Sequence, residues 1–289
     1  MTDWGGALKK ALDFQVAILG VPFDEKSSYM KGPSLAPQAI RKSSTSGAIN
    51  CFTESGLDLH SETVLTDLGN VEMRGDFSSV FSKVEKKVSH ILGKEAMPVI
   101  LGGDHSVSNP VIQGFCHKFS SLDILHFDAH PDMYEEYKGD RFSHACPFAR
   151  ILEKGIVRRL VQVGIRTATK EQRTKASQYN VQMMEMKDIP PHFSLEFENP
   201  LYISVDMDVL DPAFAPGVSH WEPGGLSTRQ LLNMVLGLKA QIVGMDVVEL
   251  NPLRDHLNVT AAAAVKIIKE VIGKKVKNEK EKEIKERIK

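Results

Sequence analysis

This chain of 289 residues has few cysteines and almost no net charge. The three cysteines, Cys51, Cys116 and Cys146, are widely spaced and odd in number, which argues against a disulfide framework and suits a reducing compartment. The 36 Lys and Arg residues nearly balance the 37 Asp and Glu residues. Because no overall field favours a polyanion or an anionic lipid surface, we expect neither nucleic acid nor a membrane as partner.

Long apolar runs are also missing from the sequence. No segment approaches the ~18 consecutive apolar residues of a membrane span, and residues 1–15 lack the continuous apolar core of a signal peptide. We therefore expect a cytoplasmic protein. No stretch rich in Gly, Ser or Pro divides the chain, and its length allows one large core without disulfides.

The last sixteen residues, 274–289, carry eight basic and four acidic side chains. Such a charge run is typical of a frayed helical extension or a disordered tail and needs no functional explanation. We therefore predict a single domain over residues 1–275 and a charged C-terminal extension over residues 276–289.

Short apolar runs alternate with amphipathic ones along the chain. The strand candidates are residues 14–23, 62–68, 97–103, 122–130, 160–165, 201–209 and 241–250, and the helix candidates include residues 36–44, 79–94, 109–119, 227–239 and 258–274. Strands that alternate with helices in this way form βαβ units. The pattern predicts a three-layer α/β/α domain with a mostly parallel central sheet.

Acids and histidines close four of the predicted strands. In ILHFDAHPD (124–132), Asp128, His130 and Asp132 occupy every second position, so an extended conformation puts them on one face. The carboxyl ends of parallel strands meet at one edge of a sheet, where ligands bind. The other three strand ends supply Asp104 and His105, Asp206 and Asp208, and Glu249.

Carboxylates gathered at one edge repel each other unless cations hold them. Oxygen and imidazole ligands without a thiolate suit Mn²⁺ or a similar divalent ion rather than a structural zinc ion. Six side chains exceed what one ion takes while it keeps an open position, and two ions roughly 3.5–4 Å apart fit better. Asp104 is interpreted as a cap of the turn before His105. The candidate ligands are His105, Asp128, His130, Asp132, Asp206 and Asp208.

Four segments carry a resemblance to a known family. In order, GGDHS (102–106), DAHPD (128–132), SVDMDVLDP (204–212) and ELNP (249–252) resemble the signature segments of the ureohydrolases, the binuclear-manganese enzymes that include arginase and agmatinase. The likeness extends over residues 14–272. It implies an arginase-like fold, two Mn²⁺ ions per subunit, and a homo-oligomer, since the family forms trimers and hexamers.

The resemblance also implies how the six ligands are divided. One manganese ion would be held by His105, Asp128, Asp132 and Asp206, and the other by Asp128, His130, Asp206 and Asp208. Asp128 and Asp206 would therefore bridge the two ions.

Two further residues match the family's substrate-binding and proton-carrying groups. Glu249 matches the acid that holds the substrate guanidinium, and His144, in RFSHACPF (141–148), matches a histidine that carries protons. His144 lies in a variable loop, so a loop histidine near the entrance is the alternative interpretation.

The chemistry of a guanidinium is consistent with these implied roles. Its carbon is a poor electrophile, and neutral water does not attack it at a useful rate. Metal coordination lowers the pKa of water from 15.7 to ~7, so a metal-bridging hydroxide is available to attack this carbon. A histidine is suited to protonate the leaving amine near pH 7. With Glu249 ionised, the loaded site carries a charge of roughly −2, which favours a small cationic guanidino substrate.

The substrate prediction depends on the loop after the central motif. In arginases this loop is rich in Asn, Ser and Thr that hold the α-carboxylate of the substrate, whereas this chain has MYEEYKGDRFSH (133–144). Because acids repel a carboxylate and tolerate an amine, the acids of this loop predict an agmatinase that converts agmatine and water to putrescine and urea. The acids of this loop are Glu135, Glu136 and Asp140.

Several alternatives stay open. GVSHWEPGG (217–225) departs from the GTPE-like stretch of many bacterial agmatinases, so N1-aminopropylagmatine, arginine and 4-guanidinobutyrate are further candidate substrates. A two-metal phosphoesterase would use the same Asp and His cluster, but its anionic substrate would need basic residues that the motif-bearing strand ends lack. A catalytically silent, metal-stabilised binding protein would keep the ligands without turnover.

Overall fold

The structure is a computed structural model, and it describes residues 4–9, 11–190 and 193–288. Eight parallel strands form one sheet in the order β2-β1-β3-β8-β7-β4-β5-β6. The strands are β1 Val16–Gly20, β2 Leu65–Asn70, β3 Met97–Leu101, β4 Leu122–Phe127, β5 Val157–Ile165, β6 Gln182–Glu185, β7 Leu201–Asp206 and β8 Ile242–Val248. This arrangement confirms the predicted parallel α/β fold.

Helices cover both faces of the sheet. They are α1 Ala36–Ser44, α2 Leu59–Glu62, α3 Phe77–Gly93, α4 Ser108–Phe115, α5 Pro147–Leu152, α6 Lys170–Gln178, α7 Thr228–Gly237 and α8 Val259–Ile288. Helices α1, α7 and α8 contribute to the apolar core on one face, and α3, α4 and α5 contribute to the core on the other.

The apolar sequence of the central strands follows from this double covering. In β1, Val16 and Ile18 belong to one core, whereas Ala17 and Leu19 belong to the other. Successive side chains of a strand point to opposite faces, so a strand that is covered on both sides must be apolar throughout. This is why the predicted strands lack a clean polar alternation.

Polar sequence explains two of the elements that sequence analysis did not predict. Helix α6 has the composition KEQRTKASQ and buries only two of its nine side chains. Strand β6 is a four-residue edge strand without a fully buried residue. Neither element has the apolar periodicity from which a helix or strand is predicted.

The charged C-terminal residues continue the last helix. Helix α8 runs without a break through Ile288, where Asn278 donates a hydrogen bond to the carbonyl of Ala240 and Lys280 pairs with Glu62. Lys289 lies outside the described residues, and the domain boundary at residue 275 stays a prediction. Across the described ranges, every helix is too short or too polar to cross a lipid bilayer.

The strand order places four motif-bearing strands side by side. Strands β3, β8, β7 and β4 are consecutive neighbours in the sheet. Because all are parallel, the segments that follow them leave the sheet at the same edge, where α/β proteins bind their ligands.

One turn at this edge requires glycine for space. A Cβ atom built on Gly103 would lie 1.7 Å from the carbonyl oxygen of Phe23, which accepts the N–H of Asp104 at 2.8 Å. We expect Gly103→Ala to lower the free energy of unfolding by about 1–3 kcal/mol or more, because backbone must move. Denaturant unfolding of the two proteins measures this difference.

The matched control is Gly47→Ala. A Cβ atom on Gly47 would meet nothing within 4 Å, so this variant should stay within about 0.5 kcal/mol of the parent. Equal stabilities of the Gly103 and Gly47 variants would contradict the proposed close approach.

Candidate metal centre and adjoining cleft

The six predicted ligands lie together at the carboxyl edge of the sheet. Strand β3 leads into the turn that carries His105, β4 leads to three of the ligands, and β7 leads to two more. As interpreted from the sequence, Asp104 caps the turn before His105, since its Oδ1 accepts the N–H of Ser106 at 3.1 Å. All six ligands are buried except His130, which is partly exposed.

Four ligands surround one point. His105 Nδ1 lies 3.2 Å from Asp128 Oδ2, 3.0 Å from Asp132 Oδ2 and 3.3 Å from Asp206 Oδ2. This nitrogen is fully buried and is aligned for a hydrogen bond with none of the three oxygens. The four ligand atoms lie within 4.8 Å of one another, a spacing that permits a single shared cation.

A second group adjoins the first. His130 Nδ1 lies 3.1 Å from Asp208 Oδ2 and 3.4 Å from Asp128 Oδ1. Asp128 thus faces the first group with one oxygen and the second group with the other, which is the arrangement of a bridging carboxylate. Asp206 faces the first group, and its Oδ1 accepts the N–H of Asp208 at 2.8 Å. Its role as a second bridge stays a prediction.

The directions of the pKa shifts indicate that positive charge is favoured among these carboxylates. Burial, and then the Asp208 and Asp128 carboxylates, raise the pKa of Asp206 well above its usual range. Burial lowers the pKa of His105, but the carboxylates of Asp128 and Asp132 outweigh it and raise this pKa well above its usual value. Protons therefore bind where cations are needed. The donor set of four carboxylates and two imidazoles fits two divalent ions of the manganese type.

A buried histidine that sequence analysis did not select holds Asp128. Gln162 Nε2 donates to Pro131 O at 2.7 Å and lies 3.1 Å from His126 Nδ1, so this ring nitrogen is an acceptor. His126 then donates its Nε2–H to Asp128 Oδ2 at 2.7 Å. Burial lowers the pKa of His126, in agreement with a neutral ring. The signal in the sequence was a histidine two residues before Asp128 inside an apolar strand.

Glu249 follows β8 and faces the same point. Its Oε1 accepts the backbone N–H of His105 at 2.9 Å and Nδ1–H of His144 at 2.8 Å, whereas its buried Oε2 has no hydrogen-bond partner among the described residues. Glu249 and Asp132 also have φ values of 60° and 50°, in the left-handed region. Non-glycine residues rarely adopt this conformation, and its strain is concentrated at functional sites.

His144 has a partner in both of its protonation states. The backbone N–H of Ser28 points at Nε2 over 3.1 Å and suits the neutral ring, and the Ser28 hydroxyl, at 2.9 Å, accepts from a protonated Nε2. Burial lowers the pKa of His144, but the Glu249 carboxylate outweighs it and raises this pKa to about 9. The structure thus places both sequence-predicted residues, Glu249 and His144, beside the ligands.

Glu249 and His144 line a cleft together with four of the six predicted ligands, His130, Asp132, Asp206 and Asp208, and its cavity volume is about 150 Å³. Its outer part is lined by hydroxyl, amide and aromatic side chains, and its described lining contains no Lys or Arg. The side chains that line this outer part are Ser28, Tyr134, Tyr137, Thr167, Thr169, Gln172 and His220.

His220 and Ser28 were also not predicted to lie at the site. The His220 ring lies 6.0 Å from the His130 ring and 5.4 Å from the His144 ring, measured between centroids. Its signal in the sequence was the unusual GVSHWEPGG segment. Ser28 gave no signal, because only the fold brings its loop to His144.

The acids on which the substrate prediction rested do not line the cleft. Glu135 accepts hydrogen bonds from Arg141 at 2.7 Å and from Arg150 at 2.9 Å, and it pairs with Lys175 as well. Asp140 pairs with Lys26 at 2.7 Å. Glu136 is exposed and lies outside the lining. These acids are therefore neutralised by cations or face solvent rather than the substrate.

Comparisons with known proteins agree with this geometry. A model of the arginase family matches residues 14–273. The mitochondrial arginase 1 of Arabidopsis thaliana is 44% identical over 274 residues, which cover 89% of this chain and 80% of that protein. An agmatinase of Bacillus cereus is 31% identical over 269 residues, which cover 89% of this chain and 91% of that protein.

Two solved structures show the same fold. The arginase from Medicago truncatula superimposes with a TM-score of 0.86 and 40% identity, covering 91% of this chain and 88% of that chain. The agmatine ureohydrolase of Thermoplasma volcanium superimposes with a TM-score of 0.81 and 28% identity, covering 97% and 96%.

We expect Mn²⁺ to raise the melting temperature of the chelator-treated protein. A ligand that binds only the folded state stabilises it, by about 2.7 kcal/mol per site at a hundredfold excess over Kd, and here it also relieves carboxylate repulsion. Thermal unfolding with and without Mn²⁺ measures the shift.

Asp128→Asn should lose most of this shift, since Asp128 faces both groups. Asp211→Asn is the control, because Asp211 closes a turn by accepting the N–H groups of Ala213 and Gly224 outside both groups. A parent without a Mn²⁺ shift, or an equal shift in both variants, would refute this metal site.

Proposed function

The chain belongs to the arginase family, and from this we propose that it is a ureohydrolase that uses two Mn²⁺ ions to release urea from a small cationic guanidino compound. The observation that carries the proposal is the unpaired Oε2 of Glu249. A buried carboxylate oxygen without a donor favours a cationic N–H ligand such as a guanidinium. It lies in a cleft wall that also contains four of the six proposed metal ligands.

L-Arginine is the substrate that we favour. The plant relatives that are 42–44% identical to this chain are named arginases, whereas the agmatinase is 31% identical. In addition, the acidic side chains that argued against a carboxylate point away from the cleft. The side chains of Thr167, Thr169 and Gln172 line it instead. Thr169 Oγ1 and Gln172 Oε1 bond each other at the start of α6, which leaves the Thr167 hydroxyl and the Gln172 Nε2 to hold an α-carboxylate. The products would be ornithine and urea.

Agmatine, with putrescine and urea as products, is the second candidate. The observation in its favour is that the described lining of the cleft contains no Lys or Arg to face a carboxylate. N1-aminopropylagmatine and 4-guanidinobutyrate remain further alternatives. The same lack of basic residues argues against a two-metal phosphoesterase, because a phosphate ester would enter a cleft lined by carboxylates.

Glu249 and His144 have different roles in the proposed reaction. When bound, the two ions supply a water molecule that is activated as a nucleophile at neutral pH. Glu249 orients the guanidinium through Oε2, while its Oε1 is held by the His105 N–H. His144 carries a proton for the leaving amine, since Ser28 provides a partner at Nε2 both before and after transfer. A histidine with a partner in both protonation states argues against a catalytically silent binding protein.

Two properties of the molecule as a whole also remain proposals. We propose a homo-oligomer, a trimer or a hexamer, from the resemblance to the family, and native mass spectrometry measures this. We propose a cytoplasmic location from the sequence composition. The plant relatives are named mitochondrial, so imaging of a tagged full-length protein is the test of location.

Urea release from a panel of guanidino compounds tests the proposed activity. Manganese-loaded protein is incubated separately with arginine, agmatine, N1-aminopropylagmatine and 4-guanidinobutyrate, and initial rates of urea formation give kcat/KM for each. We expect arginine to have the highest value. A higher value for agmatine would establish the second candidate, and no urea from any compound would refute the proposed function.

We expect Glu249→Gln to lower kcat/KM by at least about a hundredfold with the Mn²⁺ content unchanged. Removing the charge from one partner of a buried, hydrogen-bonded ion pair costs about 2–5 kcal/mol. Glu85→Gln is the control, since Glu85 pairs with His117 on the protein surface. Parent kcat/KM in Glu249→Gln would exclude Glu249 as the guanidinium-binding acid.

A further inference from the structure

A chain of three buried side chains extends from His105 away from the metal groups. His105 Nε2 lies 3.0 Å from Ser204 Oγ, and Ser204 Oγ donates to Asp246 Oδ1 at 2.6 Å. Ser204 on β7 and Asp246 on β8 are direct partners in the parallel pairing of these strands. All three side chains are fully buried, so no water competes for these bonds.

The direction of the hydrogen bonds follows from the number of protons available. A serine hydroxyl has one proton, and the Asp246 carboxylate accepts it. Ser204 Oγ must therefore accept from His105, which places a proton on His105 Nε2. In the neutral ring this leaves the lone pair on Nδ1, the atom that faces Asp128, Asp132 and Asp206. The bond made by one ring nitrogen thus selects the other nitrogen as the metal ligand.

Asp246 differs from the four aspartate ligands and Glu249, each of which lies beside a histidine. Its Oδ2 accepts from the Ser108 hydroxyl at 2.6 Å and from the Tyr202 hydroxyl at 2.8 Å. Within the described part of the chain, it forms no ion pair with Lys, Arg or His. A buried carboxylate that is surrounded only by hydroxyl donors lacks a compensating charge, and its one link toward a charged centre passes through Ser204 to His105.

We propose that Ser204 and Asp246 are positioning residues for the metal centre. They hold His105 as the Nε2–H tautomer, fix the orientation of its ring and increase the basicity of Nδ1 toward the ion that His105, Asp128, Asp132 and Asp206 share. This inference rests on the proposed function only in that the site must bind two manganese ions.

The structure also provides a matched control. Ser108 and Tyr202 donate to the same carboxylate as Ser204, but their hydroxyl groups make no hydrogen bond to His105. Ser108→Ala therefore removes one hydroxyl from Asp246, as Ser204→Ala does, and leaves the bond from Ser204 to His105 in place.

The experiment measures Mn²⁺ binding to the chelator-treated full-length protein by equilibrium dialysis at a series of free Mn²⁺ concentrations. Loss of a hydrogen bond behind a metal-binding histidine weakens metal affinity by about 10–100-fold. We expect Ser204→Ala and Asp246→Asn to weaken one of the two bound ions by this factor. We expect Ser108→Ala to stay within about threefold of the parent and Ser204→Thr, which keeps the hydroxyl, to retain most of the parent affinity.

The outcomes separate this inference from the proposed function. Parent-like affinity for both ions in Ser204→Ala, or equal weakening in Ser108→Ala, overturns the inference. If Ser204→Ala does not fold by circular dichroism, Asp246→Asn decides in its place. A parent that binds two ions but releases no urea overturns the proposed function alone, whereas a parent that binds no manganese overturns both.

Discussion

Four buried carboxylates within a few ångströms of one another are the constraint on which this structure depends. Asp128, Asp132, Asp206 and Asp208 lie at adjacent strand ends, and the protein supplies no Lys or Arg among the described residues that pairs with any of them. Burial, and then repulsion from Asp208 and Asp128, raises the pKa of Asp206. Burial lowers the pKa of His105 and of His130, but the neighbouring carboxylates outweigh it and raise both values well above the usual one. Divalent cations would remove this repulsion, so metal binding is expected to stabilise the fold.

The sheet provides the rigidity that such a cluster needs. Strands β3, β8, β7 and β4 are adjacent and covered by helices on both faces, so their ends do not move apart to relieve the repulsion. The left-handed conformations of Asp132 and Glu249 show that local backbone strain is tolerated there. The energy that holds these residues in place comes from apolar packing along the strands, well away from the charges.

Sequence patterns predicted the features of this protein that depend on the spacing of residues within one strand or one βαβ unit. The apolar strands, the edge at which they end and the gathering of six ligands all follow from period-two spacing and from βαβ alternation. The role of Glu135 did not follow, because its partners Arg150 and Lys175 come from α5 and α6. Ser28 and His220 were missed for the same reason: their distance in sequence from His144 gives no sign of contact. Contacts between loops that are far apart in sequence therefore determine which side chains line the substrate cleft. The sequence alone does not reveal these contacts.

Two residues of β8 and its following turn, Asp246 and Glu249, both act on His105, one of the proposed metal ligands. Asp246 acts on the His105 side chain through Ser204, and Glu249, three residues later, accepts the His105 backbone N–H. His105 is thus held at its ring by Ser204 on β7, which bonds Asp246 on β8, and at its backbone by Glu249, which follows β8. Because Glu249 also lines the cleft, a shift of the residues that follow β8 would move both Glu249 and the backbone of His105. The proposed metal ligand His105 and the proposed guanidinium-binding acid Glu249 are therefore linked directly at the edge of the sheet.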